Sequence, residues 1–494
     1  MYKIREIKYS SNSVSIQVYK IENRKRVIVR HIGTARNKEE KSDLLILAQD
    51  FINKISKQFR LFENNESNNI LNIGQTEFIG VYYNFLYEFI FKVIIQVGFD
   101  KVKKNLLLDL VIMRMIEPAS KLRSIELLNE YFGIKHRRQN YYESASQWLT
   151  LKSKAESVSI EFAKKQYSFQ FDLLFYDVTT LYFETFDEDD LRKNGFSKDN
   201  KSQQPQILVA LMVTKEGFPI GYEVFSGNTF EGHTIIPVVN KFIKKNAIKK
   251  FTIVADAAMI SDENIEGLRK NDINYIVGAR LGNLSHEIIK QIDKDINRID
   301  GKSIRIKTGK GYLICSYSSV RYRKDKYEME KQIERAKQII TNPSRSRKLK
   351  YTTSRGQKIE LNEKLIDKNK KLLGIKGYYT DLEENEVTNQ TVIERYHELY
   401  RIEQAFRISK SDLQTRPIFH YKEEPIKLHI LICFIALVLS KHIELQTNTS
   451  IKRFIHECKK ITDGRLKNKI TNKEVRIRVE LNDEITGFLQ KLNC

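Results

Sequence analysis

Residues 171–199 read FDLLFYDVTTLYFETFDEDDLRKNGFSKD. The first part of this stretch, 173–180, is a run of apolar, aromatic and β-branched residues, which predicts a strand buried on both faces. Asp177 interrupts the run. A buried carboxylate is costly unless it is paired or bound to a metal. Taken alone, Asp177 fits a salt-bridged core residue as well as it fits a metal ligand.

A second stretch, FTIVADAAM at 251–259, repeats the pattern with one carboxylate, Asp256, where its apolar run ends. Two buried strands that each carry one aspartate suggest that the two side chains converge on a divalent cation. Carboxylate oxygens are hard ligands that suit Mg²⁺ or Mn²⁺.

The order of predicted elements around these strands indicates the fold class. The Asp177 strand is followed by an acidic loop over 184–204 and a hairpin, then by a helix, the Asp256 strand, another helix and the strand NYIVGAR. Three strands followed by alternating helices and strands are typical of an α/β, ribonuclease-H-like mixed sheet with flanking helices. In that fold the first and fourth strands place acidic residues side by side.

A helix predicted over 388–414 offers the third carboxylate. At 100° per residue its polar stripe includes the tyrosines, the carboxylate and two cations, namely Tyr396, Tyr400, Glu403, Arg407 and Lys410. Leu399, Ile402, Phe406 and Leu413 form the adjacent apolar stripe, which docks the helix. A solvated ion-pair face is the alternative interpretation, but the tyrosines and the second cation favour a stripe that faces DNA.

Charge points to a polyanionic partner. Lys and Arg outnumber Asp and Glu by 85 to 62, a net charge of +23, and phosphate neutralisation releases counterions. A membrane is the rival partner, but the longest apolar run, 430–439, is too short to span a bilayer, and the start has no apolar signal core. The four cysteines form no metal or disulfide pattern. We expect a cytoplasmic protein.

Residues 77–165 are predicted to be helical and to form a DNA-end-binding region. Three short helices surround a basic turn at 135–138 that contains Arg137 and Arg138. This arrangement fits a helix-turn-helix DNA reader. For this segment taken alone, a plain helical bundle with a solvated basic loop is the simpler alternative.

The chain is predicted to divide into five parts. An N-terminal strand pair and helix precede the helical region, and a β-containing insertion interrupts the catalytic core. The ranges are 1–60, 77–165, 166–280 with 387–445 for the core, 281–386 for the insertion, and 446–494 for a basic C-terminal region.

At this point the sequence resembles the DDE transposases of bacterial insertion sequences, in the superfamily whose third-carboxylate helix carries a Y-R-E-K signature. The matching stretches are YDVTTLYFET, DDLRKNGFSKD, GFPIGYEVFSGNT, IVADAAMIS, YIVGARL and YRIEQAFRISKSDLQTRP. The resemblance implies catalytic, metal-binding carboxylates at Asp177, Asp256 and Glu403, with Tyr396 and Lys410 contacting DNA. One departure is visible, because Leu399 occupies the signature arginine position. Arg401 or Arg407 could supply its phosphate contact.

The resemblance also implies the chemistry. Two Mg²⁺ (or Mn²⁺) ions would support cleavage at the inverted repeats of the element and transfer of the 3′-OH ends to target DNA. The partner would be double-stranded DNA, with a homodimer in the synaptic complex and the nucleoid as the site of action. Two alternatives remain open at this stage, a ribonuclease-H-like nuclease without strand transfer and a DNA-binding protein that does not cut.

Overall fold

The computed structural model describes residues 2–56, 76–102, 105–196, 203–248, 250–259, 261–341, 350–355, 358–469, 472 and 474–493. Its strands are β1 Tyr2–Lys8, β2 Val14–Glu22, β3 Lys25–Ala35, β4 Thr76–Tyr82, β5 Leu173–Tyr182, β6 Gln206–Val213, β7 Pro219–Ser226, β8 Thr252–Ala255, β9 Asn274–Ala279, β10 Ser303–Thr308, β11 Gly311–Tyr317, β12 Thr352–Arg355, β13 Lys358–Leu361, β14 Ile375–Thr380, β15 Asp463–Asn468 and β16 Glu474–Arg478. Its helices are α1 Lys38–Ile55, α2 Asn84–Val97, α3 Asn105–Ile116, α4 Lys121–Phe132, α5 Arg138–Leu149, α6 Lys152–Tyr167, α7 Ile235–Asn246, α8 Asp262–Lys270, α9 His286–Asp295, α10 Ser319–Thr341, α11 Glu363–Lys371, α12 Asn389–His397, α13 Tyr400–Arg407, α14 Glu423–Thr447, α15 Ile451–Cys458 and α16 Asp483–Leu492.

The chain folds into two compact units. One contains residues 1–93, 121–137 and 446–494, and the other contains 94–120 and 138–445. The five-part division made from the sequence stays a prediction.

The larger unit is built on one mixed sheet. Its eight strands lie in the order β10-β11-β14-β9-β8-β5-β6-β7, so the predicted mixed α/β class is confirmed. β5 pairs with β8 in parallel and with β6 in antiparallel orientation. Every residue of β6 is buried, as expected for an apolar run covered on both faces. The β6–β7 turn uses Gly217 at φ +79°, a left-handed conformation that glycine adopts without steric cost.

The insertion contributes strands to this same sheet. β10 and β11 form the predicted strand pair, and β14 joins them to β9. The central sheet therefore continues into the 281–386 segment, and β14 returns the chain to the edge of the core just before the helices that carry Tyr396 and Glu403.

The predicted helix over 388–414 is interrupted in the structure. α12 ends at His397, α13 begins at Tyr400, and a π-helical turn follows over Ile408–Asp412. The backbone N–H groups of Leu399 and Arg401 donate to carbonyls three residues back, the tighter pattern of a 3₁₀ turn. The interruption breaks the continuous helical stripe that the sequence predicted. The apolar set is nevertheless buried, namely Leu399, Ile402, Phe406 and Leu413.

The smaller unit contains two three-stranded sheets. In the first, β2 lies between β1 and β3, and α1 packs Leu44 and Leu47 against Ile16 and Val18. In the second, β15 lies between β16 and β4. Residues 76–82 are therefore a strand, although 77–165 was predicted to be helical throughout. The pairing partner of this strand lies near residue 465, too far along the chain for a local pattern to reveal it.

Within the described residues, α14 alone is long and apolar enough to cross a membrane by length and composition. Its most apolar window is 94% buried inside the protein. This burial is what a core helix of a globular domain shows.

The burial of Leu399 generates a stability prediction. Leu399 is 7% exposed, whereas its neighbour Tyr400 is 49% exposed. We expect Leu399→Ala to lower the free energy of unfolding by about 2–5 kcal/mol, because truncation removes buried surface and leaves a cavity. Tyr400→Ala is the control and should cost much less in the same denaturant titration. Unchanged unfolding combined with lost DNA binding would make Leu399 a contact residue instead.

Candidate active site

The two aspartates come from neighbouring strands, because Asp177 lies in the middle of β5 and Asp256 directly follows the end of β8. The parallel register pairs Tyr176 of β5 with Ala255 of β8, and the next residue along each strand direction is Asp177 or Asp256. Neighbouring strands of a sheet run about 4.8 Å apart. Asp177 is half-buried and Asp256 is exposed. The fold therefore delivers two carboxylates to one solvent-accessible edge of an otherwise buried pair of strands.

Tyr396 fixes the position of Asp256. Its hydroxyl donates to Asp256 Oδ1 at 3.3 Å, and the N–H of Ala257 donates to the same oxygen at 2.7 Å. Tyr396 is only 8% exposed. Burial raises the pKa of the Tyr396 phenol, and the negative charge of Asp256 raises it further, so the phenol stays protonated and remains a donor. The predicted DNA-contact residue is thus packed beneath the carboxylates.

Glu403 lies on α13, which packs against β5. Its side chain is exposed, and none of the ion pairs identified in the described part of the chain engages it. The negative charges of Glu403 and Asp256 both raise the pKa of Tyr396, and both counteract the lowering of the pKa of Lys376 on β14. The helix thus brings the third carboxylate into the electrostatic neighbourhood of the aspartate pair.

The carboxylates do not close into a metal cage in this conformation. Among the residues that the structure describes, no group of three or more His, Cys, Asp or Glu side chains is close enough to hold a metal ion. Carboxylates repel one another when no cation lies between them. Three carboxylates are nevertheless the kind of donor set that suits a hard divalent cation.

The predicted cations are dispersed around this site. Arg401 forms an ion pair with Glu398 at 3.5 Å, and Arg407 is exposed. Lys410 is half-buried on the π-helical turn.

The basic turn lies in another part of the chain. Arg137 and Arg138 are both exposed, and the guanidinium of Arg138 lies 5.8 Å from the ring centre of Tyr142. No contact found within the described ranges joins Arg138 to the three carboxylates.

Sequence reasoning missed Lys376. Its ammonium lies 4.7 Å from the ring centre of Tyr396 and 5.5 Å from that of Tyr378. Burial lowers the pKa of Lys376, and the positive charge of Arg321 lowers it further. The negative charges of Asp256 and Glu403 raise it in part. The available signal was the basic residue near the start of KGYYTDL, the strand that precedes the Glu403 helix.

The comparison with known proteins assigns the family. A family model described as "Transposase DDE domain" matches residues 169–439, more than half of the chain and all three candidate carboxylates. The chain belongs to this DDE transposase family. The predicted transposase identity is therefore confirmed, while the bacterial source and the Y-R-E-K subgroup stay predictions.

This DDE transposase is also similar to a solved structure, a piggyBac transposase synaptic complex with hairpin DNA studied by cryo-EM. The identity is 10%, the TM-score is 0.40, and the match covers 83% of this chain and 75% of that one. A search of curated proteins finds no match.

Gly278 of β9 makes room for the Tyr396 hydroxyl and generates a prediction. A Cβ at Gly278 would lie 2.5 Å from Tyr396 Oη and 3.1 Å from its Cζ. We expect Gly278→Ala to lower the free energy of unfolding by about 1–3 kcal/mol, a typical cost of overpacking.

Adding Tyr396→Phe should recover part of that loss, because the closest clashing atom is then absent. A double-mutant cycle in denaturant measures this coupling. Gly282→Ala is the matched control, since a Cβ there meets nothing within 4 Å. Strictly additive effects of the two changes would contradict the packing of Tyr396 against β9.

Proposed function

We propose that the chain is a DNA transposase that binds the terminal inverted repeats of its insertion sequence, cleaves DNA with two divalent ions and transfers the 3′-OH ends to target DNA. The observation that carries this proposal is the parallel register that places Asp177 beside Asp256, with the Glu403 helix packed on the same strand. The strand order β7-β6-β5-β8-β9 supports a ribonuclease-H-like core.

Asp177, Asp256 and Glu403 are the residues that would hold Mg²⁺ or Mn²⁺. When bound, the two ions would lower the pKa of the attacking water and stabilise the leaving 3′ oxygen. Tyr396 keeps one Asp256 oxygen oriented through its hydrogen bond. Exposed Arg407 of α13 and half-buried Lys410 of the π-helical turn would contact phosphates. No histidine is needed as a base.

The partners follow from charge and family. A net charge of +23 favours duplex DNA, which would be bound at the element ends and at the target. A homodimer would align two ends in the synaptic complex, and the protein would act at the nucleoid in the cytoplasm. The family membership of the chain supports strand transfer over a nuclease that only cuts.

The first functional prediction concerns the carboxylates. Asp177→Asn, Asp256→Asn and Glu403→Gln should each abolish Mg²⁺-dependent cleavage of DNA carrying the element ends, because a neutral amide is a poor Mg²⁺ ligand. Binding of the same DNA with EDTA present should be retained. Asp172→Asn is the control, since Asp172 is an exposed carboxylate that lies just before the first residue of β5.

The products of this assay also separate the alternatives. Joining of 3′ ends to target DNA indicates transposition, whereas cutting without joining indicates the nuclease. Wild-type cleavage by any one of the three variants would remove that residue from the site, and absence of cleavage by the parent protein would favour the non-cutting DNA-binding protein.

The second functional prediction concerns end recognition. Arg137 lies in the turn between α4 and α5, Arg138 begins α5, and both are exposed. Changing both to Ala should weaken the preference for end DNA over random duplex, measured as the ratio of the two affinities in a gel-shift titration. Affinity for the random duplex is the internal control. An unchanged ratio would place the end reader elsewhere in the chain.

A further inference from the structure

A cavity of about 260 Å³ opens beside the candidate active site, within the larger unit. Three cations line it, Arg321 at the start of α10, Lys350, and Lys376 of β14. Two acids also line it, Asp325 and Glu328. Arg321 engages Asp325 at 3.4 Å, and the N–H of Gly374 donates to the same carboxylate oxygen at 3.3 Å. Three cations against two acids leave one excess positive charge on the cavity wall, and Arg321, although paired with Asp325, keeps a side chain that is 46% exposed.

Lys376 connects this cavity with the carboxylates. It lines the cavity, and its ammonium lies over the ring of Tyr396, whose hydroxyl donates to Asp256. No ion pair identified among the described residues engages Lys376. Its ammonium instead makes cation–π contacts with the rings of Tyr378 and Tyr396. A lysine held in this way can still offer hydrogens to an anion.

Small residues on the same wall allow a chain to approach closely. Ala279, Gly282 and Gly377 line the cavity, and a Cβ at Gly282 would meet nothing within 4 Å. Gly282 therefore borders open space, whereas a Cβ at Gly377 would lie 2.4 Å from Leu281, and the cations of the wall favour a negatively charged ligand.

A DNA strand needs a cation at this position. The scissile phosphate must come close to three carboxylates, and the phosphates on either side of it would be repelled by the same charges. Metal ions would neutralise the carboxylates at the reacting phosphate. A neighbouring phosphate requires a protein cation, and Lys376 is the cation that the fold places against Tyr396 and Asp256.

We propose that Lys376, together with Arg321, binds the phosphodiester backbone of one DNA strand next to the scissile position, and that the strand runs from the carboxylates into this cavity. The inference rests on the proposed function and adds a binding site for one strand that the signature motif does not contain.

The test compares Lys376→Met with Lys307→Met. Methionine keeps an unbranched stem of similar size and removes the charge. Lys307 is an exposed cation of β10 and does not line the cavity. Binding of a short fluorescent duplex of arbitrary sequence is measured against salt concentration, with EDTA present so that no chemistry occurs.

We expect Lys376→Met to weaken binding severalfold and to reduce the slope of log affinity against log salt by about 0.9, the value for one phosphate contact. Lys307→Met should change neither quantity as much. Adding Arg321→Met to Lys376→Met should reduce the slope again. Equal slopes and affinities for Lys376→Met and the parent protein would overturn the proposal.

Lysine acylation followed by mass spectrometry gives a second readout. Duplex DNA should protect Lys376 from acylation. Inorganic phosphate should not, because a single free anion lacks the neighbouring phosphates that hold a DNA strand in the cavity. Equal protection by inorganic phosphate would overturn the strand assignment in favour of a simple anion site. Protection of Lys376 in a protein that never cleaves DNA would support the strand contact and contradict the proposed chemistry, whereas cleavage without protection would contradict the strand contact alone.

Discussion

The parallel pairing of β5 with β8 is the constraint on which the site depends. Parallel neighbours need a long crossover connection, and here the β6–β7 hairpin and α7 provide it. The pairing fixes the register, and the register places Asp177 beside Asp256. Two adjacent carboxylates disfavour each other's ionised forms unless a cation lies between them. The arrangement is tolerable because β8 ends before Asp256, which reaches solvent, and Asp177 is only half-buried.

The core of this arrangement could be predicted from the sequence. β5 is an apolar run that only Asp177 interrupts, and β6 is an apolar run without interruption. Gly217 marks the turn after β6. Such signals are local, so the order of strands and helices from 173 to 279 follows from them. Asp177 and Asp256 stand out for the same reason, since each is a single charge placed within or at the end of an apolar strand.

Other features depend on contacts between distant residues. The strand at 76–82 pairs with β15, and β10 and β11 join the central sheet through β14. The helix interruption at Leu399 is equally invisible to a helical wheel, because Leu399 suits the apolar stripe of a continuous helix and of a tightened turn alike. Lys376 gave no signal as a site residue, because one lysine in a strand is ordinary until its neighbours are known.

Leu399 and Lys376 show how the structure distributes positive charge around the three carboxylates. In the resemblance to the Y-R-E-K signature, the arginine position is occupied by Leu399, which is 7% exposed and packs in the core. Arg401, one possible substitute, already forms an ion pair with Glu398. Arg407 is exposed, beyond Glu403 on α13. Lys376 comes from β14 instead, and it lies against Tyr396, the first residue of the same signature.

A cation supplied by a strand is held differently from one supplied by a helix. β14 lies between β11 and β9 in the sheet, and Lys376 pairs with Ser316 of β11, so its backbone is held by the sheet. Glu403, in contrast, lies on a short helix bounded by a tightened turn and a π-helical turn. The sheet thus carries Asp177 and Lys376, while an element with irregular ends carries Glu403. In the proposed function the DNA strand would therefore contact residues of a regular sheet and of a less regular helix together.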